Sequence, residues 1–596
     1  MILLPQHLLV KKKQWATQMT EPRQTNPAEI AAQKALDEMY ECIWTRQNFR
    51  MEAGAGAGKT YSLDKALRLI IDEQGASLLQ KSQRVACITY TNVAIDEIIE
   101  RTDGHPVVHV STIHSFCWDL IKGFQPHLRA KISEMAAWSD KLEEAGGVGT
   151  QKIDYDLGHR TITDTHLLLH HDDVITLAVA LMEQGKFRHI LSARFPIILI
   201  DEYQDTNAGF AHSILQHFII PRVGPLIGLF GDSWQKIYGD GSGLIKHENL
   251  RHIGKEANFR SVKDVVEVLN RIRPELPQEV KDPDATGYVA VFHSNKWAGT
   301  RRGGSHWAGD LPAEDAHRFL GELRQQLSAS GWDFAPNKTK ILMLTHAALA
   351  KEQDYSQIAS AYRYSESFIK KEDPHIEFLV DTVEPVCEAF ESGRYGEMFA
   401  AIGARSDCIR SREDKRTWAK DMRSLIERRE NGTIGEVLDI LKETRHPRLP
   451  DKVEKTETDL ANASPDMIEE SRTLSQINKL RVIPYTELVS LALFINDHTP
   501  FSTKHGVKGA EFENVLVVLG RGWNNYNWNQ FLEWSPNKFP ASKSDFYERN
   551  RNLFYVVCSR PKKRLALLFT QLLSTEALAT LQSWFGEENV HEFNVN

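Results

Sequence analysis

Ala53-Gly54-Ala55-Gly56-Ala57-Gly58-Lys59-Thr60 sets the class of this chain. A triphosphate needs several backbone N–H groups converging on it, and three glycines permit that close approach. Lys59 would reach the β- and γ-phosphates, and the Thr60 hydroxyl would hold Mg²⁺. Gln47 to Glu52 reads as a strand entering the loop. Leu63, Ala66, Leu67 and Ile70 then recur at helical spacing, so a helix N-terminus faces the anion. Taken alone, a small-residue turn between strand and helix would read the same way.

A second stretch removes much of that ambiguity. Ile198-Leu199-Ile200-Asp201-Glu202-Tyr203-Gln204-Asp205 runs from three apolar residues into adjacent carboxylates. Neighbouring side chains on a strand point to opposite faces. Asp201 would bind Mg²⁺ through water, and Glu202 would polarise the water that attacks the γ-phosphate. Solvated acids at a strand end are the alternative, a poor one beside Lys59 and Thr60.

Outward from these two stretches the chain is ordinary. It has 596 residues, 41% apolar and 26% charged, which is enough for a large core and about four domain-sized units. A net charge of -8 excludes a uniformly basic nucleic-acid coat, so any such contact must be a local groove. Six cysteines, Cys42, Cys87, Cys117, Cys387, Cys408 and Cys558, show no paired spacing, which excludes a zinc ribbon and fits a reducing cytoplasm. No apolar run reaches membrane-spanning length. Residues 1–24 read as a disordered tail, because Lys11-Lys12-Lys13 follows the apolar patch, whereas a secretory signal carries its charge first. Met19 is a second candidate start.

Apolar runs at Arg84–Tyr90, Phe195–Ile200 and Pro225–Phe230 read as buried parallel strands, each ending in polar residues where a ligand would sit. A second set at Gly287–Phe292, Ile341–Leu344, Val515–Val518 and Arg564–Phe569 implies another α/β sheet. Ile113 to His189 has helical periodicity, as does the charge-mixed stretch Gln353 to Leu488. His446 to Pro465 reads as a flexible connection.

The ordered set of motifs resembles the UvrD/Rep-type superfamily 1 helicases, and the resemblance spans Ala53 to Leu567. It implies two RecA-like lobes with helical insertions: 25–112 and 190–250 for the first lobe, 113–189 for its insertion, 251–352 and 489–596 for the second lobe, and 353–488 for the second insertion. It also implies roles. Tyr90, Thr91 and Asn92 would contact the nucleic-acid strand, as would His114 in Val110–Phe116. His171-Asp172-Asp173 matches the family's acidic helix. In Gly231-Asp232-Ser233-Trp234-Gln235-Lys236-Ile237-Tyr238, Gln235 would sense the γ-phosphate and Tyr238 would pack by nucleotide or strand. Asn258-Phe259-Arg260-Ser261 gives Arg260 as a γ-phosphate contact. Thr503 and His505 would grip the strand, and Glu511 would lie near the ribose. Arg560 would be the arginine finger.

Four features depart from the family pattern or invite other readings. The adenine-reading motif Leu-Asn-x-x-Gln is not clear, with Gln33 the nearest candidate. Gly239-Asp240-Gly241-Ser242-Gly243 stands where relatives have an aromatic and Arg-Gly-Ala. Arg521 to Trp534 is rich in aromatics that could stack bases, with packing the favoured reading. His166, His170, His171 and Asp172 could share a helix face as a metal site, but a solvated helix is the better reading. The resemblance implies an ATP- and Mg²⁺-dependent DNA helicase moving 3′ to 5′ on single strands. The alternative is a nucleic-acid-triggered ATPase signalling to a partner nuclease or effector, as in Gabija-type phage defence. No nuclease motif follows Arg560, so cleavage would need another chain. No membrane partner is expected.

Overall fold

The parallel strands form because their side chains are apolar on both faces and are covered on both. Across the first sheet the order is Val108–Thr112, Val85–Thr89, Ile197–Ile200, Leu226–Gly231, Phe49–Ala53 and Arg251–Lys255, with neighbours parallel throughout. The period-two alternation is explicit. Ile197, Leu199, Leu226 and Phe230 enter a core shared with Leu36, Met39, Leu63, Leu67 and Ile70, while Ile198, Ile200, Ile227 and Leu229 enter one shared with Phe116, Phe210 and Leu177. Helices therefore cover both faces. The computed structural model describes residues 26–155, 160–236, 241–304, 306–343, 346–403, 409–503, 510–521, 526–536 and 539–595.

The chain divides into two compact units. One takes the described residues of Met1–Val289, Lys538–Arg564 and Ser583–Phe585, and the other those of Ala290–Asn537, Leu565–Gln582 and Gly586–Asn596. The second holds a six-stranded sheet ordered Phe501–Thr503, Thr339–Met343, Phe512–Leu519, Pro561–Phe569, Tyr288–His293 and Val590–Glu592. Each unit carries one RecA-like α/β sheet. From His346 to Ile495 the described elements are all helical. No described helix is long and apolar enough to cross a membrane.

Four expectations change. Arg251–Lys255 pairs with Phe49–Ala53, so the first sheet runs past residue 250, and contacts group both Arg260 and Arg560 with the first unit. The stretch 113–189 is not helical throughout. Lys152–Tyr155, Thr161–Ile162 and His166–Leu169 form a small sheet, because Ile153, Leu167 and Leu169 bury on one side over only two to four residues, too short a run to declare its period. The expected flexible connection contains a helix, Asp451–Asn462. Tertiary contacts hold it: Val453 is fully buried, and buried Glu457 accepts from Arg481 and lies 3.2 Å from His375 Nε2. The histidines do not share a helix face, since His166 is on a strand and His170 caps the helix His171–Met182. The tail 1–24, Met19, Cys408, Tyr238 to Asp240, His505 and Trp523 lie outside the described residues.

Candidate active site

Parallel strands deliver their C-terminal residues to one edge of the sheet. Phe49–Ala53 ends at the glycine loop, Ile197–Ile200 at Asp201-Glu202, and Leu226–Gly231 at Asp232-Ser233. The loop is shaped by its neighbours. Gly56 and Gly58 hold φ of +76° and +74°, and a Cβ on Gly56 would meet Arg260 Cβ and Asn258 Oδ1, each at 2.8 Å. Phe259 N–H donates to Gly56 O at 2.9 Å, while Asn258 Nδ2 and Gln278 Nε2 donate to Ala55 O at 3.2 and 3.1 Å. The helix Lys59–Gln80 begins directly after Gly58.

Lys59 Nζ donates to Glu202 Oε2 at 2.7 Å. Burial would depress this ammonium, but Glu202, Asp232 and Asp201 together hold it above its ordinary value. Glu202 sits at φ +48°, a left-handed conformation uncommon outside glycine, and Gln204 Nε2 donates to the same oxygen at 2.6 Å. Burial, then Glu202, pushes the Asp201 carboxyl up to about 7. A carboxylate so disfavoured is a hard-oxygen donor whose charge a divalent cation would favour.

A buried charge network extends from this edge. Asp232 accepts from Gln235 Nε2 at 2.7 Å and from Arg273 at 2.6 Å. Glu52 accepts from Tyr203 Oη at 2.7 Å, Ser233 Oγ at 2.6 Å and Arg273 at 3.2 Å. Burial alone would raise the Glu52 carboxyl, but Ser233, Tyr203 and Arg273 hold it below the usual carboxylate value. Gln235 Oε1 in turn accepts from Arg560 at 3.2 Å. Arg560 is 1% exposed, and its burial, then Arg260, weighs against its charge. Arg260 donates to Ser559 O at 3.0 Å. Arg560 thus lies near Glu202 and Arg260, and Arg260 packs against Gly56 of the glycine loop.

The structure thus brings Ala53 to Thr60, Asp201, Glu202, Gln235, Arg260 and Arg560 into one unit. Glu511 and Thr503 belong to the other. Tyr90 is 43% exposed at the end of Val85–Thr89, and Thr91 caps the helix Asn92–Arg101, accepting from Ala94 N at 3.2 Å. The His114 ring lies 4.6 Å from that of His171. Gln33 is exposed on the helix Pro27–Thr45 and donates to Asp37. That helix starts at Asn26, which accepts from Glu29 N–H, so Asn26 and Glu29 have the Asn-x-x-Gln spacing with Glu in place of Gln. Tyr526, Trp528 and Phe531 are buried, with the Trp528 indole donating to Gly520 O at 3.0 Å, which is packing. Glu52, Lys255 and Arg273 were missed. Each sits among other polar or charged residues in its element, so nothing in the local sequence marked it.

Two family models match. One described as an AAA domain covers residues 37–240, and one described as a UvrD-like helicase C-terminal domain covers 337–571. The chain is 24% identical to Gabija protein GajB of Bacillus cereus over 93% of this chain and 97% of that protein. It is 25% identical to ATP-dependent DNA helicase PcrA of Staphylococcus aureus over 39% of each, and likewise to PcrA of Staphylococcus epidermidis.

Proposed function

Because the chain belongs to the UvrD-like superfamily 1 helicases and is an ATP-dependent DNA helicase, we propose that it translocates 3′ to 5′ along single-stranded DNA, in the cytoplasm. The reading is carried by the ion pair of Lys59 with Glu202 at 2.7 Å, set where parallel strands end and linked through Asp232 to Gln235 and Arg560. Lys59 and the glycine-loop N–H groups bind the β- and γ-phosphates. On nucleotide arrival Lys59 turns from Glu202 to phosphate, freeing Glu202 to take a proton from the attacking water. Thr60 and Asp201 hold Mg²⁺, which when bound offsets charge on the phosphate oxygens. Gln235 registers the γ-phosphate, and Arg260 and Arg560 stabilise the charge that builds on it. Tyr238 and Glu511 border the nucleotide. Tyr90, Thr91, Asn92, His114, Thr503 and His505 hold the strand. The division into two lobes bearing insertions 113–189 and 353–488 belongs to the same proposal, with Arg251–Lys255 counted in the first lobe's sheet.

One observation favours a second reading. The likeness to GajB runs along nearly both whole chains, whereas that to PcrA covers 39% of each. In that reading DNA-triggered hydrolysis signals to a partner nuclease or defence effector. The deciding measurement is ATP hydrolysis with and without single-stranded DNA, alongside strand displacement from a 3′-tailed duplex. Stimulated hydrolysis with displacement supports the translocase, and stimulation without displacement supports the switch. Glu202→Gln should keep nucleotide binding and cut turnover at least about a hundredfold; turnover above about a tenth of wild type would remove Glu202 as base.

A further inference from the structure

We propose that Arg302 and Trp307 of the second unit, in the excursion whose described residues are 295–304 and 306–309, form an additional nucleic-acid contact that meets phosphate and base together. The proposal rests on the chain acting on DNA, not on any assignment at the nucleotide site.

Within 295–309 the charged residues are Lys296, Arg301 and Arg302, with no acid, in a chain whose net charge is -8. The excursion is built rather than loose. Arg302 N–H donates to Asp310 O at 2.9 Å and Gly309 N–H returns to Arg302 O at 3.0 Å, closing its neck. Inside it, Trp307 and Ala308 N–H both donate to Gly304 O, a tight turn that Gly304 at φ +81° permits.

The cations have divided tasks. Arg301 donates to Gly309 O at 3.1 Å and Thr570 O at 3.0 Å, and also to Ser294 O, so its donors anchor the excursion to the sheet. Arg302 instead lays its guanidinium over the Trp307 ring at 4.0 Å, with both side chains half-buried. A guanidinium backed by an indole is held flat, and its donors match phosphate geometry while its open face suits a base.

Lys296 is paired with Glu592 at 2.7 Å, so the charge that matters is on the arginines. Asp310 is buried and accepts from Thr570 Oγ1 at 2.7 Å and Arg521 N–H at 2.9 Å. Its one charge is shared among Arg301, Arg302 and Arg521. Burial lowers Arg301 and Arg521, and Asp310 opposes that in both. Arg302 therefore shares its nearest carboxylate with two other guanidiniums, and phosphate is a natural further acceptor for it. The flat Arg–Trp pair favours nucleic acid over an acidic polypeptide, which offers no bases to stack.

The test is binding of a fluorescent single-stranded oligonucleotide across a salt series, with the full chain. Arg302→Glu should weaken binding about tenfold and lower the salt slope by about 1. Trp307→Ala should weaken it several-fold with the slope kept. Neither should move hydrolysis without DNA or the melting temperature. Arg423→Glu, the same charge change at an exposed site on the helix Arg412–Asn431, is the control. Arg302→Glu no worse than Arg423→Glu overturns the proposal. So does unchanged DNA affinity with lost affinity for polyglutamate, which would give the excursion to an acidic protein. Wild type that binds no oligonucleotide would overturn the DNA reading of the whole chain as well.

Discussion

Lys255 shows how one residue can set stability against function. It is fully buried at the end of Arg251–Lys255, and its ammonium donates to Gly58 O at 2.9 Å and Ser62 Oγ at 2.7 Å, both neutral acceptors. Burial pushes it from its ordinary 10.5 down to about 8. It also lies at a helix N-terminus, where the backbone adds positive potential. The lowered value means that the unfolded chain binds the proton more readily than the folded one. Stability should therefore rise as pH climbs from about 8 to 10.5 and stay reduced below that window. Lys255→Met should raise the nucleotide-free melting temperature at pH 7 by about 2 °C or more and flatten this rise. It should also raise the KM for ATP several-fold with kcat nearly unchanged, because the polyphosphate is what offsets the buried charge. A melting temperature that falls would contradict this. Sequence reading singled out Lys59 and Glu202 from their local motifs, and Gln235, Arg260 and Arg560 from the family resemblance. Lys255 has no such frame, and only burial distinguishes it from a surface lysine.

At the scale of elements, the helix Lys263–Ile272 buries Val265, Val266, Val268, Leu269 and Ile272, and its capping residue Arg273 is carried into the interior. There Arg273 bridges Glu52, at the end of the glycine-loop strand, to Asp232, which holds Gln235. Arg273 also lies 5.0 Å from the Trp234 ring centre and 5.5 Å from that of Tyr555. Arg273→Met should destabilise by about 3–5 kcal/mol in denaturant titrations, since it strands two buried carboxylates. Adding Glu52→Gln should recover part of that loss; strict additivity would show that the two do not act as a pair. The elements legible in sequence were those with long apolar runs. Thr339–Met343 and Leu226–Gly231 are examples, each uniformly buried. Asp451–Asn462 was not legible, because it is polar and is held by ion pairs across the insertion. Phe501–Thr503 and Val590–Glu592, at three residues each, are strands only because a sheet edge accepts them.

For the whole molecule, a net charge of -8 makes DNA binding a local achievement against general repulsion. Single-strand affinity should fall about tenfold or more between roughly 50 and 200 mM salt, measured by anisotropy; a flat response would refute a basic groove. The two-sheet architecture was legible from the order of motifs, whereas the partition of the chain was not, because proximity in three dimensions ignores sequence order. The first unit is interrupted after Val289 and resumes at Lys538. Arg560 and the helix Ser544–Cys558 therefore leave the ribosome long after the glycine loop they serve. The intervening stretch Ala290–Asn537 takes about 12–50 s at ordinary rates of synthesis. Through that interval the nascent first unit lacks the helix Ser544–Cys558, whose Leu553, Phe554 and Val557 are buried in the finished fold. Birth is thus the most vulnerable moment of this enzyme, and a chaperone that shields the waiting half has its longest task there.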